Sequence, residues 1–422
     1  MKIAILIAAL VWSPPQDSVT LESCYNRARD HYPGMQKVEL QNRIHKLKKE
    51  ALQNDLYPQL NVEGEATYQS DVPEVGLSLP GGGGGTPTVP KDQYSLQARL
   101  QQVVYQGGKT RTEQRISKTE AEMTREQVEI SFHQRRELVE DTYFSILMLQ
   151  KQKATTQWII KELDARLEKV SALVEDGALL AGEAYLLEAE RISAEQNLEE
   201  IKGNINSAYQ TLNTLTGASW SSETKLSLPD PPPVGEYKRG QQRATYELLS
   251  LEKRKLDQRK DLLQARKAPQ VSVFGTAALG RPGLNFFDDS ITPYYIVGVR
   301  AQWSFWNMVD AGKEQEQMNL RKSQINKERA TFAQQQGIAL QRFRQKMQTN
   351  KTLIEKDEQR IKLRQKRAEQ SKSRLEDGMI TSSDYVDDLY AVYRAKLQQK
   401  RHKIDLLQNK INYLTELGIQ WY

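Results

Sequence analysis

The sequence predicts a mixed α+β protein: four long, highly charged helical tracts and four short amphipathic strands, in a pattern that occurs twice. Three observations lead there. Proline-free, charge-rich segments run from Asp310 to Asp377 and from Ser383 to Leu417, on either side of the turn EDGMITSSDYVDDL (Glu376 to Leu389). At about 1.5 Å per residue, the first of these spans roughly 100 Å as one helix. Elsewhere the apolar period falls from about 3.6 to 2. In Gln59 to Ser70, for instance, Leu60, Val62, Gly64, Ala66 and Tyr68 alternate with polar neighbours. Finally, the halves overlay: PQLNVEG at Pro58 answers PQVSVFG at Pro269, VYQGGK at Val104 answers FWNMVDAGK at Phe305, the EDG at Glu175 answers that at Glu376, and LTG at Leu215 answers ELG at Glu416.

Composition narrows the class. With 27% charged and 38% hydrophobic residues, long polar helices are favoured over a thick globular core. The net charge of +6 is diffuse, and acids alternate with bases in stretches such as KEQEQMNLRKSQINKER (Lys313 to Arg329). That is the pattern of a solvated, ion-paired surface and not of a nucleic-acid-binding stripe. The lone Cys24 rules out an internal disulfide framework, and His31, His45, His133 and His402 are scattered with no metal-ligand spacing. Nucleophile-elbow, P-loop and zincin motifs are absent, so the sequence points away from an enzyme and calls for no cofactor.

In chain order, MKIAILIAALVWS carries Lys2 and an apolar run, Ile3 to Trp12, too short to cross a bilayer, and residues 1–13 read as an export signal. Cys24, in LESC, only faintly echoes a lipoprotein box: SPPQDS separates it from the apolar run, and it reads as an ordinary helix cysteine. The first repeat, 14–217, opens with a helix from Val19 to Leu56, broken at Pro33-Gly34 and ended by Pro58. A β-hairpin follows at 59–105, its connection too rich in Gly and Pro to be anything but a loop. The run of glycines there lacks the Lys-Ser/Thr and helix of a phosphate cradle. Long helices are expected at 109–176 and 183–215, and PDPPP marks a linker at 218–235. The second repeat, 236–422, carries a helix to Lys267, a hairpin at 270–306, and long helices at 310–377 and 383–417. All fifteen prolines fall outside the four long tracts, as a cost of about 3 kcal/mol each inside a helix requires. Gly177 and Gly378 supply the reversals at the tips, and Thr381, Ser382 and Ser383 are placed to cap the last helix.

The strands point to the environment. Each has one continuous apolar face, including Tyr295, Val297, Val299, Ala301 and Trp303 in the fourth, with aromatics near the strand ends. Their length suits tilted membrane strands of about 9–11 residues. Four strands cannot enclose an aqueous interior, and lipid does not tolerate open edges, so several chains must share one barrel.

On these residues the chain resembles an outer-membrane efflux protein of the TolC family, from Val19 to Gly418. The duplicated halves, the P-Q-x-x-V-x-G strand motif, the Gly-ended strand-to-helix junction and the Gly-centred tip turn with an acid six positions on carry the likeness. The resemblance implies a homotrimer with a twelve-stranded β-barrel in the lipid of a Gram-negative-type outer membrane, a coiled-coil α-barrel through the periplasm, and an equatorial belt built from the linker and termini. It also implies a passive duct that docks on a periplasmic adaptor protein and an inner-membrane pump or ABC transporter.

The same resemblance assigns residues. Asp384 and Asp387 occupy the positions of the family's entrance aspartates, with Glu183 at the matching position of the first tip and Asp388 an additional acid beside the pair. Ile380 stands where the family often has a polar latch residue. The tips Gly177, Ala178, Leu179 and Leu180, and Gly378, Met379, Ile380 and Thr381, are expected to form the adaptor-docking surface. A structural role for Asp384 and Asp387, capping the helix and offsetting its dipole, is the competing reading. For the whole chain the alternatives are a soluble or periplasmic coiled-coil scaffold without channel activity and a self-contained porin. The first draws on the heptad Val386, Tyr393, Leu407 and Leu414, interrupted by Lys400.

Overall fold

A computed structural model describes residues 18–73, 89–233, 243–286 and 288–419. The expected export signal and the Gly-rich hairpin connection lie outside them. The order of elements is α1 (Leu21–Asp30), α2 (Pro33–Asn54), β1 (Gln59–Tyr68), β2 (Asp92–Tyr105), α3 (Lys109–Glu175), α4 (Ala181–Thr216), α5 (Ala244–Lys267), β3 (Gln270–Arg281), β4 (Thr292–Gln302), α6 (Trp306–Glu376) and α7 (Ser382–Glu416). The fold is mostly helical with one small antiparallel sheet. α3 and α6 contain 67 and 71 residues, and α6 begins at Trp306, ahead of the expected Asp310. Among the described residues no helix is long and apolar enough to cross a membrane.

By internal contacts the chain divides into two compact units, each drawn from both repeats. One comprises the chain up to Lys37, Gln127–Glu247 and the chain from Ala330; the other comprises Val38–Glu126 and Leu248–Arg329.

The second unit holds the sheet, ordered β1-β2-β3-β4, with every neighbour pair antiparallel. β1 and β4 are its edges. The strand-to-helix junction requires Gly107 (φ 64°), because a Cβ there would lie 2.6 Å from the carbonyl oxygen of Ala265.

Two large apolar cores lie in the first unit, beside a small one of Leu340, Met347, Tyr413 and Leu417. In one, α1 lays Leu21, Cys24, Tyr25 and Ala28 against Phe132, Val139 and Tyr143 of α3, Ile205 and Leu212 of α4, and Ile404 and Ile411 of α7. Val19 pairs with Leu226 of the linker, and the Tyr143 hydroxyl lies 2.8 Å from the Val19 carbonyl and 2.6 Å from that of Ser227, so linker and chain start are tied to one helix. Cys24 is fully buried here and its thiol is pushed up to about 12 by burial. It is a packing residue of α1. In the other core, Ile159, Leu163 and Val170 of α3 meet Leu187 of α4, Leu375 of α6 and Tyr385, Val386 and Leu389 of α7, directly beneath the two tips.

Candidate functional site: the hairpin tips and the exposed sheet

The two tips have the same backbone. At each, the glycine is left-handed, with φ of 74° at Gly177 and 68° at Gly378. Gly177 N–H donates to Val174 O and Ala178 N–H to Leu173 O; correspondingly, Gly378 N–H donates to Leu375 O and Met379 N–H to Arg374 O. These paired bonds satisfy the last carbonyls of α3 and α6, and they are the reason a glycine ends each helix.

The tip side chains divide into two sets. Leu179 and Ile380 turn inward and pack on the core below. Ala178 and Thr381 are exposed, and so are Leu180 (80%) and Met379 (66%), which present apolar surface to solvent. At the polar-latch position, therefore, Ile380 contributes packing.

The four candidate acids are placed differently from one another. Asp384 closes a capping box: Thr381 Oγ1 accepts from Asp384 N–H (3.2 Å), and the Asp384 carboxylate accepts from Thr381 N–H (3.1 Å) and from its hydroxyl (2.8 Å). Those Thr381 bonds hold its carboxyl below the usual range. Asp387 is exposed on the next turn. Glu183 reaches from α4 to accept from the Ser382 backbone N–H at 2.5 Å, thereby serving the start of α7. Asp388 faces α6. Only 6% exposed, it accepts from Ser371 Oγ (2.6 Å) and pairs with Arg367 Nε (2.7 Å), so its charge is spent on the α6–α7 seam.

A further tie was not legible in the sequence. Glu376, in the second EDG, pairs with Arg166 (2.8 Å) and Lys169 (2.9 Å) of α3. The hydrogen bonds from Lys169 and Arg166 hold its carboxyl down to about 2. Arg166 is itself buried, with its guanidinium 4.9 Å from the Tyr385 ring centroid. Both hairpins are thus joined within one protomer by Glu183–Ser382 and by Arg166–Glu376–Lys169. Among the described residues no group of acids, His or Cys is arranged to hold a metal ion.

In the sheet, cross-strand partners share a face. One face runs Leu60–Leu100–Gly275–Val297 and, beside it, Val62–Ala98–Ala277–Tyr295. It is apolar and open: Tyr295 is 78% exposed, Val297 77% and Val299 69%. Ala301 is exposed with them, while Trp303 lies just beyond the end of β4, where its indole donates to Lys267 O (3.0 Å). The opposite face carries Glu63, Gln97, Arg99 and Gln101 beside Ser272, Phe274, Thr276 and Ala278 of β3. Arg99 donates to Thr276 Oγ1 and Gln101 to Ser272 Oγ, each at 3.3 Å, and the covered Thr276 and Ser272 are buried. The sheet therefore pairs an exposed apolar face with a polar face whose side chains hydrogen-bond across the strands.

Long helical hairpins joined to a small antiparallel sheet are also the arrangement of solved outer-membrane channels. Solved structures share this fold over nearly the whole chain. CusC matches with a TM-score of 0.74 at 12% identity, covering 95% of this chain and 92% of its own. VceC from Vibrio cholerae matches with a TM-score of 0.69 at 14% identity, covering 95% and 97%. The open-state MtrE outer membrane channel of Neisseria gonorrhoeae gives 0.68 at 13% identity, covering 94% and 89%. No curated protein matches the sequence. Residues 24–218 match the family model described as outer membrane efflux protein. That match lies in the first repeat, and the fold shared with the solved outer-membrane channels extends over nearly the whole chain.

Proposed function

We propose that three copies of this chain form one outer-membrane duct, through which material delivered by an inner-membrane pump leaves the cell. The observation that carries the reading is the four-stranded sheet with an exposed apolar face and two unpaired edges. In hydrocarbon, every backbone N–H and C=O must be paired, and an open edge leaves a row of them unsatisfied. Pairing β1 of one copy with β4 of the next removes the edges, and three copies supply twelve strands around a polar lumen. The duct is passive, and selection of cargo rests with the pump.

In this reading the tips are where a periplasmic adaptor docks, on Leu180, Met379 and the turn backbone around Gly177 and Gly378. Asp384 and Asp387, six carboxylates in a trimer, ring the entrance and draw cations to it, as acidic rings do in other channels. Glu183 and Asp388 support that entrance from within each protomer.

Arginine at Val297 or Val299 tests the barrel. A charge on the lipid face near the midplane costs about 2–4 kcal/mol, so these variants should lose membrane-inserted trimer in heat-modifiability gels, whereas Gln302→Arg should assemble normally. Equal assembly of all three variants would mean the strands do not lie in a membrane.

A further inference from the structure

The heptad along α7 is broken at Lys400, and the structure gives that interruption a setting. Lys400 is half-buried, its ammonium donating to Thr155 Oγ1 at 2.7 Å. Burial, and then the neighbouring charges of Lys151 and Lys396, hold its pKa down. Lys403 and Lys410 follow on the same side of α7, at helical spacing from Lys400. Together with Lys151 of α3 they rim a groove of about 340 Å³. Its floor is hydrocarbon: Ile404, Leu406 and Leu407 of α7, walled by Leu228 and Pro229 of the linker. Among the described residues the only carboxylate within ion-pair distance of the four lysines is Glu358, 3.8 Å from Lys403.

Four ammonium groups around an apolar floor set two requirements. The head of an occupant must be anionic, because lysine offers donors and no acceptor. Its body must be hydrocarbon. A peptide would bring N–H groups for which the lining side chains supply no acceptor. The volume lies at the lower end of small-ligand sites, which suits one chain and not two.

We propose that this groove binds a single-tailed amphiphilic anion, a long-chain carboxylate or alkyl sulfate, with its head among Lys151, Lys400, Lys403 and Lys410 and its tail on Leu228, Ile404, Leu406 and Leu407. The site does not depend on the duct reading.

The test uses the full chain in phosphatidylcholine nanodiscs, dodecanoate as the probe, and lysine acetylation followed residue by residue by mass spectrometry. Dodecanoate should slow modification of the four rim lysines about tenfold or more while leaving the exposed Lys161 and Lys362 unchanged. Acetate and dodecyltrimethylammonium should protect none of them. Leu228→Ser, at an exposed position where folding is not at stake, and Lys151→Gln combined with Lys403→Gln should each raise the half-protecting dodecanoate concentration about tenfold. Protection by acetate alone, equal protection by the cationic amphiphile, or wild-type protection in the variants would each overturn the proposal. So would rim lysines already unreactive without probe, which would mean that another part of the assembly fills the groove.

Discussion

The two tips share a sequence, E-D-G, and the same turn of backbone, yet their side chains do different work. Six residues after each glycine stands an acid. In the second tip Asp384 bonds to its own helix, completing a capping box with Thr381. In the first, Leu180 occupies the capping position and offers no side-chain bond, while Glu183, longer by one methylene, crosses to the Ser382 amide of the other hairpin. The start of α7 therefore receives two carboxylates and the start of α4 receives no side-chain cap. The leading glutamates differ as well: Glu376 holds Arg166 and Lys169, whereas Glu175 makes no ion pair among the described residues. A repeated backbone has thus become one anchored tip and one that leans on it.

The largest expected effect tests what the tips have in common. A Cβ at Gly177 or at Gly378 would meet nothing within 4 Å, so the cost of valine at either is the left-handed backbone alone, about 1–3 kcal/mol. Gly177→Val and Gly378→Val should lower thermal stability by similar amounts. Both should impair export while leaving trimers in the membrane, if the tips are the docking surface. A loss at only one tip would show that the shared turn is not what the two have in common, and normal export from Gly378→Val would remove the tips from docking.

A smaller effect separates them. Glu376→Gln should destabilise the protein at neutral pH and Glu175→Gln should not. Because Glu376 is more than a third solvent-exposed, screening limits the difference to about 0.5–1 kcal/mol. The sign with pH follows from its lowered pKa. A carboxylate held at about 2 in the fold, against 4.5 when free, stabilises the fold fully above 4.5, and that contribution is lost as pH falls through about 2. Glu140 runs the other way. Buried beside Tyr25, whose hydroxyl donates to it at 3.0 Å, it is pushed up to about 8, so its contribution is intact below 4.5 and is lost as pH rises through about 8. Denaturant midpoints followed from pH 3 to 9 should therefore show Glu376→Gln flattening the acid side and Glu140→Gln the alkaline side.

The fold class was legible because it rests on periods and exclusions. Alternation at Leu60, Val62 and Gly64 marks a strand whatever surrounds it, and the prolines bound the helices. The tip glycines were legible for the same local reason. What could not be read was the direction in which a charged side chain turns. Asp384, Asp387 and Asp388 share an arc of one helix, and spacing alone does not tell that α6 offers Arg367 and Ser371 to the last of them. Arg166 and Glu140 sit in strings of charge that look solvated, yet both are buried. Ile380 lies at the expected latch position, but its packing role depends on the core that α3 and α7 build beneath it.

The smallest expected effect asks which aspartate acts as a cap and which acts as a charge. Asp384 is bound by Thr381, so Asp384→Asn should weaken the capping box and lower thermal stability slightly. Asp387 is exposed and has no such bond among the described residues, so Asp387→Asn should leave stability unchanged. In planar bilayers the order should reverse. A carboxylate committed to a backbone amide still contributes its field, but one free to face an entrance also coordinates what passes. Asp387→Asn should therefore relieve block by multivalent cations and reduce cation selectivity more than Asp384→Asn does, with the double variant losing both. If the two variants have equal conductance properties, the ring's charge acts as a whole and the capping bond has no part in gating. If neither changes selectivity or block, both aspartates are structural, and the narrowest charged point of the duct lies elsewhere.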